Sequence, residues 1–134
     1  MLAVRLEDRP LLLIVDDDAR SANLLARLLD AEGYDAEVTT DGAAALWRLT
    51  RSPIPEALIT DFHLPHADGL AVGRYARSRR PALPIFVLTG EPQAVLRALE
   101  SEPLEDPVVV LTKPLEYAEF LRRLTAAVGR ARAV

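Results

Sequence analysis

The sequence predicts an α/β fold in which helices cover both faces of a parallel β-sheet. Short apolar runs alternate five times with longer amphipathic stretches along the 134 residues, and this alternation is typical of sheets built from strand–helix units. Three of the runs are apolar nearly throughout, as expected of parallel strands that are buried on both faces. The length fits one domain with one hydrophobic core.

The predicted strands are short, and each is followed by a polar residue. The five predicted strands are Leu11–Val15, Ala36–Thr39, Ala57–Thr60, Pro84–Leu88 and Val108–Leu111.

The segments between the strands carry apolar residues at three-to-four spacing, which predicts helices. The first helix contains the pairs Leu24–Leu25 and Leu28–Leu29 and ends near Gly33, where a left-handed cap suits glycine. Asp41 is predicted to cap a second helix over Gly42–Arg51.

Three further helices follow from the same spacing. The third is centred on Leu70–Ala76, before Pro81. The fourth is short, because Pro92 and Pro103 limit it at both ends. The fifth has its apolar face at Phe120, Leu121, Leu124 and Val128.

Composition excludes several classes of protein. The net charge of −4 argues against a nucleic-acid-binding surface, and the absence of cysteine excludes disulfides and thiolate metal sites. No apolar run reaches the length of about 18 residues that suggests a membrane helix, and the N-terminus lacks the features of a signal peptide. We therefore expect a soluble, cytoplasmic domain.

Chemically reactive side chains cluster where the predicted strands end. Asp16–Asp18 follow the first strand, Asp61 follows the third, Thr89 the fourth and Lys113 the fifth. Ligands of open parallel sheets bind outside the carboxyl ends of the strands. We therefore expect these residues, remote in sequence, to form one site.

Electrostatics indicates what such a site would hold. Two carboxylates about 4 Å apart repel by about 4 kcal/mol at an effective dielectric constant of about 20, and Lys113 is the only lysine of the chain. Mg²⁺ is a suitable counterion because it prefers carboxylate oxygens and bridges to phosphates. A carboxylate can also attack phosphorus as a nucleophile. The pattern predicts magnesium-assisted phosphoryl transfer.

Each of these residues also has an ordinary structural explanation. Asp16–Asp18 could cap the first helix, and a lone aspartate or threonine at a strand end is common. We interpret Asp18 as a cap, and Asp68–Gly69 as a turn that leads into a helix. Only the joint occurrence at successive strand ends favours a functional site.

The sequence resembles the receiver domains of response regulators in two-component signalling. The similarity covers about residues 10–129 and rests on four segments, Leu12–Asp18, Thr60–Pro65, Val87–Gly90 and Leu111–Pro114. It implies a flavodoxin-like three-layer sandwich of five parallel strands in the order 2-1-3-4-5, with five helices on both faces. Residues 1–9 would be an N-terminal tail, and residues 130–134 a helix end or the start of a linker.

The resemblance also implies a role for each site residue. Asp61 would accept a phosphoryl group from a histidine kinase or a phosphotransfer protein. Asp16, Asp17 and Asp61 would bind Mg²⁺, together with the main-chain carbonyl of His63.

Two further residues complete the implied site. Thr89 and Lys113 would contact the phosphoryl group, and the Lys113–Pro114 bond would be cis. Phosphorylation would change binding to a downstream effector or output domain, and a homodimer is another partner that the resemblance allows.

The chain departs from the family pattern at two positions. Val110 stands where an aromatic residue commonly couples phosphorylation to the fifth strand, and Gly90 stands where alanine is common. His63 and Glu91 lie at positions that tune the lifetime of the phosphoryl group in this family. Because Val110 is not aromatic, we do not expect the usual aromatic coupling in this chain.

Two alternative functions stay open at this point. The chain could be a degenerate receiver that acts as a scaffold without phosphorylation. It could also be a Mg²⁺-dependent phosphatase of the haloacid-dehalogenase kind, whose Asp-x-Asp motif Asp16 and Asp18 would imitate. A receiver would catalyse only its own phosphorylation and dephosphorylation, so we expect it not to be an enzyme.

Overall fold

A computed structural model describes residues 8–133 and contains one parallel sheet between two layers of helices. The strands lie in the order β2-β1-β3-β4-β5, which confirms the predicted topology. They are β1 (Leu11–Val15), β2 (Asp35–Thr39), β3 (Ala57–Asp61), β4 (Ile85–Thr89) and β5 (Val109–Thr112). The helices are α1 (Ala19–Ala31), α2 (Gly42–Leu49), α3 (Gly69–Arg79), α4 (Pro92–Ser101) and α5 (Tyr117–Ala133).

The hydrophobic core consists of two apolar layers, one on each face of the sheet. Alternate residues of β1 point to opposite faces, so that Leu12 packs with α1 and α5 while Leu13 packs with α2 and α3. Phe86 and Phe120 meet edge to face, with ring centroids 5.7 Å apart. The inner strands β1, β3 and β4 are buried throughout, and the edge strands β2 and β5 are only partly buried.

The predicted apolar face of α1 is only half correct. Leu25 and Leu29 are buried, but Leu24 is 58% exposed and Leu28 is 40% exposed. Successive residues of a helix turn by about 100°, and in α1 the buried stripe includes the second leucine of each pair, while the first lies at its exposed edge. The glycine cap is confirmed, because Gly33 has φ of 98°.

Helix α2 is shorter than its apolar spacing predicts. It ends at Leu49 instead of Arg51, and Thr50 is its C-cap. The Arg48 guanidinium donates to the carbonyls of Arg51 and Pro53, which holds the chain in a turn before a proline that cannot continue a helix. Helix α4 begins with Pro92 and ends before Pro103, as predicted.

Strands β3, β4 and β5 each end one residue later than predicted. Asp61 and Thr89 are the last residues of β3 and β4, not the residues after them. Residues 130–133 belong to α5, whereas residues 1–7 of the expected N-terminal tail lie outside the described part. None of the helices within residues 8–133 has both the length and the apolar character needed to cross a bilayer.

Candidate functional site

Three carboxylates meet at the carboxyl edge of the sheet. Asp16 and Asp17 follow β1, and Asp61 ends the neighbouring strand β3. One oxygen of each side chain lies within 4.8 Å of the others. Asp16 and Asp61 are each only 7% exposed, whereas Asp17 is exposed. Parallel pairing of β1 with β3 therefore brings the predicted acids together.

Lys113 contacts this cluster from the loop after β5. Its Nζ lies 2.6 Å from Asp61 Oδ1 and 3.9 Å from Asp16 Oδ2. Its backbone N–H donates to the carbonyl of Thr89 over 2.8 Å, which joins this loop to the end of β4. The Lys113–Pro114 bond is cis, as the resemblance implied.

The surroundings of Asp61 make its charge costly. Burial raises the pKa of Asp61 to about 7, and the neighbouring carboxyl of Asp16 also raises it, whereas Lys113 lowers it. For Lys113, burial lowers the pKa, but the contact with Asp61 and the charges of Asp16 and Asp17 outweigh burial and leave the pKa above its ordinary value. One ammonium therefore does not balance three carboxylates.

The third aspartate of the sequence motif caps α1. The Asp18 side chain accepts hydrogen bonds from the backbone N–H groups of Arg20 and Ser21, at 3.1 and 3.4 Å, and from the Ser21 hydroxyl at 2.9 Å. Its own N–H donates to Asp16 Oδ1 over 2.9 Å. The interpretation of Asp18 as a cap is confirmed, and the turn it forms orients Asp16.

Thr89 and its neighbours border the cluster on the β4 side. Thr89 is 4% exposed, and its hydroxyl oxygen accepts the N–H of Glu91 at 2.9 Å. The Glu91 carboxylate lies 3.4 Å from His63 Nε2, and both side chains are exposed. A side chain at Gly90 would meet no atom within 4 Å. The metal-binding role of the His63 carbonyl stays a prediction.

Two further residues hold the backbone of Asp61. The Thr60 hydroxyl donates to the Asp61 carbonyl over 2.8 Å, and a Cβ on Gly69 would lie 2.1 Å from that oxygen. The sequence pattern indicated no role for Thr60, and it indicated for Gly69 only a turn that leads into a helix. A hydroxyl within an otherwise apolar strand is the signal that could have found Thr60.

The donor set fits a hard divalent cation. Mg²⁺ takes oxygen ligands and keeps several waters, so two or three carboxylates at one open edge are sufficient protein ligands. Here two carboxylates are buried and one is exposed, which leaves the solvent side of the cluster open.

Comparison with known proteins identifies the family. The family model described as "Response regulator receiver domain" matches residues 12–125. This chain belongs to the receiver-domain family. It therefore has the phosphoacceptor role of receiver domains in two-component signalling, and neither alternative function is favoured.

Curated relatives of this receiver domain are longer proteins. Response regulator MprA of Mycobacterium ulcerans is 37% identical over 119 residues, which are 89% of this chain and 50% of the relative. Response regulator MprA of Mycobacterium leprae is likewise 37% identical over 119 residues, which are 89% of this chain and 51% of the relative. The receiver domain thus spans about half the length of the curated relatives it matches.

Solved structures confirm the receiver-domain fold. A sensor protein from Polaromonas sp. JS666 is 31% identical, with a TM-score of 0.78, 92% of this chain covered and 98% of that chain covered. A response regulator receiver protein from Sinorhizobium medicae WSM419 has a TM-score of 0.82, with 93% and 98% covered, and at 22% identity it supports the fold alone.

Proposed function

We propose that Asp61 is the phosphoryl acceptor of this receiver domain and that Asp16, Asp17 and Asp61 bind Mg²⁺, together with the His63 carbonyl. The observation that carries the proposal is a buried carboxylate with an ammonium 2.6 Å away and two more carboxylates within 4.8 Å. Three carboxylates and one ammonium leave an excess of negative charge, and burying that excess is unfavourable when no cation is bound. It suits a site that is completed by a cation and a phosphoryl group.

The proposed reaction is a single phosphoryl transfer. A carboxylate oxygen of Asp61 attacks the phosphorus of a phosphohistidine donor, the phosphorus–nitrogen bond breaks, and the imidazole leaves with the bonding electron pair. The product is an acyl phosphate on Asp61. Mg²⁺ would neutralise charge on the phosphoryl oxygens. The chain's own residues orient the nucleophile and balance the remaining charge.

Lys113 and Thr89 contact the phosphoryl group in this proposal. Lys113 already lies against Asp61, so a small movement would carry its ammonium to a phosphoryl oxygen. The Thr89 oxygen accepts the Glu91 N–H, which leaves the hydroxyl proton available to donate to the phosphoryl group. A hydrogen bond to a charged acceptor is worth about 1.5–3 kcal/mol.

The domain, placed at residues 10–129, would act in the cytoplasm as a binding switch and not as an enzyme, since it turns over only its own phosphoryl group. Its partners would be a histidine kinase or phosphotransfer protein, a downstream effector or output domain, and a second copy of the chain in one of its states. The names of the longer relatives as response regulators support this assignment.

The first prediction is that Asp61→Asn abolishes phosphorylation by acetyl phosphate and Mg²⁺ while the fold persists. The amide has nearly the same shape but is a far weaker nucleophile. Phosphorylated protein is quantified by intact-mass spectrometry, and circular dichroism checks the fold. Asp35→Asn is the matched control, because Asp35 is an exposed aspartate at the start of β2 and should leave labelling unchanged.

The same experiment tests both alternatives. A wild-type protein that takes up no phosphoryl group would favour the scaffold, and labelling that survives Asp61→Asn would contradict the choice of acceptor. The phosphatase alternative needs Asp18 at the reacting centre, whereas Asp18 caps α1. Turnover of p-nitrophenyl phosphate that is lost in Asp18→Asn, a variant that preserves the cap, would revive it.

A further inference from the structure

Thr60 places a hydroxyl inside an apolar layer of the core. It pairs with Val15 of β1 and Val87 of β4, and all three residues are buried, with Thr60 at 0% exposure. Val15 and Val87 belong to the apolar layer on the α2–α3 face. A valine at position 60 would fill the same volume, so packing does not explain the hydroxyl.

The Thr60 hydroxyl is used by the neighbouring residue of the same strand. Its Oγ1 donates to the Asp61 main-chain carbonyl over 2.8 Å, and this bond is buried. Burying a hydroxyl without a hydrogen-bond partner is unfavourable. The hydrogen bond offsets that cost and ties the side chain to the peptide unit that leads out of Asp61.

The first residue of helix α3 packs closely against the same peptide unit. A Cβ on Gly69 would lie 2.1 Å from the Asp61 carbonyl oxygen and 3.1 Å from Thr60 Cγ2. The Gly69 N–H donates to the Phe62 carbonyl over 2.8 Å. The backbone on the C-terminal side of Asp61 is thus in contact with both the Thr60 hydroxyl and the first residue of α3.

We propose that Thr60 is a positioning residue for the phosphoacceptor. By fixing the Asp61 carbonyl, its hydroxyl keeps the Asp61 carboxylate directed at Lys113 and the other two acids. The inference rests on the proposed role of Asp61. Loss of the hydroxyl lets this peptide rotate, and a displacement of about 1 Å at a reacting group can slow a reaction by about a hundredfold.

The test compares Thr60→Val, which keeps the shape and removes the hydroxyl, with Thr60→Ser, which keeps the hydroxyl. At saturating Mg²⁺, the rate constant for phosphorylation by acetyl phosphate should fall at least tenfold in Thr60→Val and stay within about threefold of wild type in Thr60→Ser. The Mg²⁺ dissociation constant, from an NMR titration without phosphodonor, should rise several-fold in Thr60→Val only. Urea unfolding should show that Thr60→Val still folds cooperatively, with at most a modest loss of stability from the Asp61 carbonyl that loses its donor.

Thr39→Val is the matched control. Thr39 is the last residue of β2 and, like Thr60, has a buried hydroxyl oxygen, but this hydroxyl has no hydrogen-bond partner among the described residues. It should leave phosphorylation and Mg²⁺ binding unchanged. A second measurement uses wild-type protein alone: the Thr60 hydroxyl proton should exchange slowly enough for detection by NMR, and its signal should shift when beryllofluoride and Mg²⁺ bind.

Each outcome decides a different point. The inference would be overturned if Thr60→Val had the phosphorylation rate and the Mg²⁺ affinity of wild type. It would also be overturned if Thr60→Ser were as slow as Thr60→Val, because the methyl group of Thr60, and not its hydroxyl, would then be responsible. If Thr60→Val does not fold, an unchanged hydroxyl signal in the wild type overturns the inference and a shift supports it. A wild-type protein that is never phosphorylated would instead refute the role of Asp61.

Discussion

At the scale of single residues, the site combines a costly charge with tight packing. Asp61 is almost completely buried beside two other acids, and its carbonyl is enclosed by Thr60 and Gly69. The first feature makes the stability of the domain depend on pH and on cations. The tight packing leaves no room beside the Asp61 carbonyl even for a methyl group at position 69.

The raised pKa of Asp61 predicts a domain that is less stable at neutral pH than at mildly acidic pH when Mg²⁺ is absent. Between the ordinary value of 3.8 and the folded value of about 7, the folded state binds more protons than the unfolded state. The free energy of unfolding therefore falls as pH rises through this window, by up to about 4 kcal/mol. Urea unfolding with EDTA from pH 4 to 8 measures it.

Asp61→Asn serves as the control for this pH dependence. The amide does not ionise, so the decrease assigned to Asp61 should disappear, although Asp16, Asp17 and Lys113 remain beside it. Mg²⁺ should restore stability to the wild type at pH 7.5. An equally steep decrease in the variant would assign the effect to another group.

Gly69→Ala should destabilise the domain and slow phosphorylation, because its methyl group would overlap the Asp61 carbonyl. The overlap lies against backbone, so the strand end or α3 must move, and we expect a loss of about 2–3 kcal/mol in the free energy of unfolding. Thermal unfolding and acetyl phosphate labelling measure both effects.

Gly129→Ala is the matched control, since a Cβ at Gly129 meets nothing within 4 Å. It should stabilise α5 by about 1 kcal/mol through helix propensity. Gly69→Ala with wild-type stability and labelling would contradict the contact with Asp61.

At the scale of elements, α3 also anchors the connection between α4 and β5. Arg74 donates to the carbonyls of Glu102 and Pro103, and Arg77 donates to those of Asp106 and Pro107. This connection contains two prolines, which have no N–H to donate. Its carbonyls therefore depend on donors from elsewhere, and α3 supplies them.

Arg77→Ala should loosen this connection more than it changes the site. Arg77 also donates to the Leu83 carbonyl, so three acceptors lose a donor, and we expect a destabilisation of about 1–3 kcal/mol. Hydrogen–deuterium exchange should increase in residues 102–109. Arg97→Ala, an exposed arginine on α4, is the control and should leave exchange there unchanged. Unaltered exchange in Arg77→Ala would contradict the anchoring role.

At the scale of the whole molecule, the last turn of α5 is joined to the start of β3. The Arg132 guanidinium donates to both carboxylate oxygens of Glu56, at 2.6 and 2.8 Å. Hydrogen bonding by Arg132 is the largest influence on Glu56 and holds its pKa below 4.5. The pair connects the C-terminal end of the described chain to an inner strand of the sheet.

Arg132→Ala should lower the free energy of unfolding by about 0.5–1 kcal/mol at neutral pH, because the pair is partly exposed to solvent. The folded pKa of Glu56 is depressed, so its contribution is present above pH 4.5 and is lost as pH falls through the depressed value. The free energies of unfolding of wild type and variant, from urea titrations, should approach each other as pH falls below 4.5. Arg130→Ala is the control, and a gap between Arg132→Ala and wild type that persists in acid would exclude the ion pair as its cause.

The sequence by itself determined the fold class, the order of the elements and the residues that line the carboxyl edge. These depend on local periodicity and on residue types at strand ends, and the motifs added the family and the strand order. The helix caps at Asp18 and Asp41 were also predictable, because each capping side chain accepts a hydrogen bond from a backbone N–H only three residues away.

Only the tertiary structure decided which groups touch. The burial of Asp61, the exposure of Leu24 and Leu28, the contact of Gly69 with the Asp61 carbonyl, and the arginines that anchor residues 102–107 all depend on how separate elements pack. Periodicity identifies a face of a helix or strand, but it does not contain the distance to a residue on another element. Contacts of that kind set the pKa of Asp61 and hold its backbone in place.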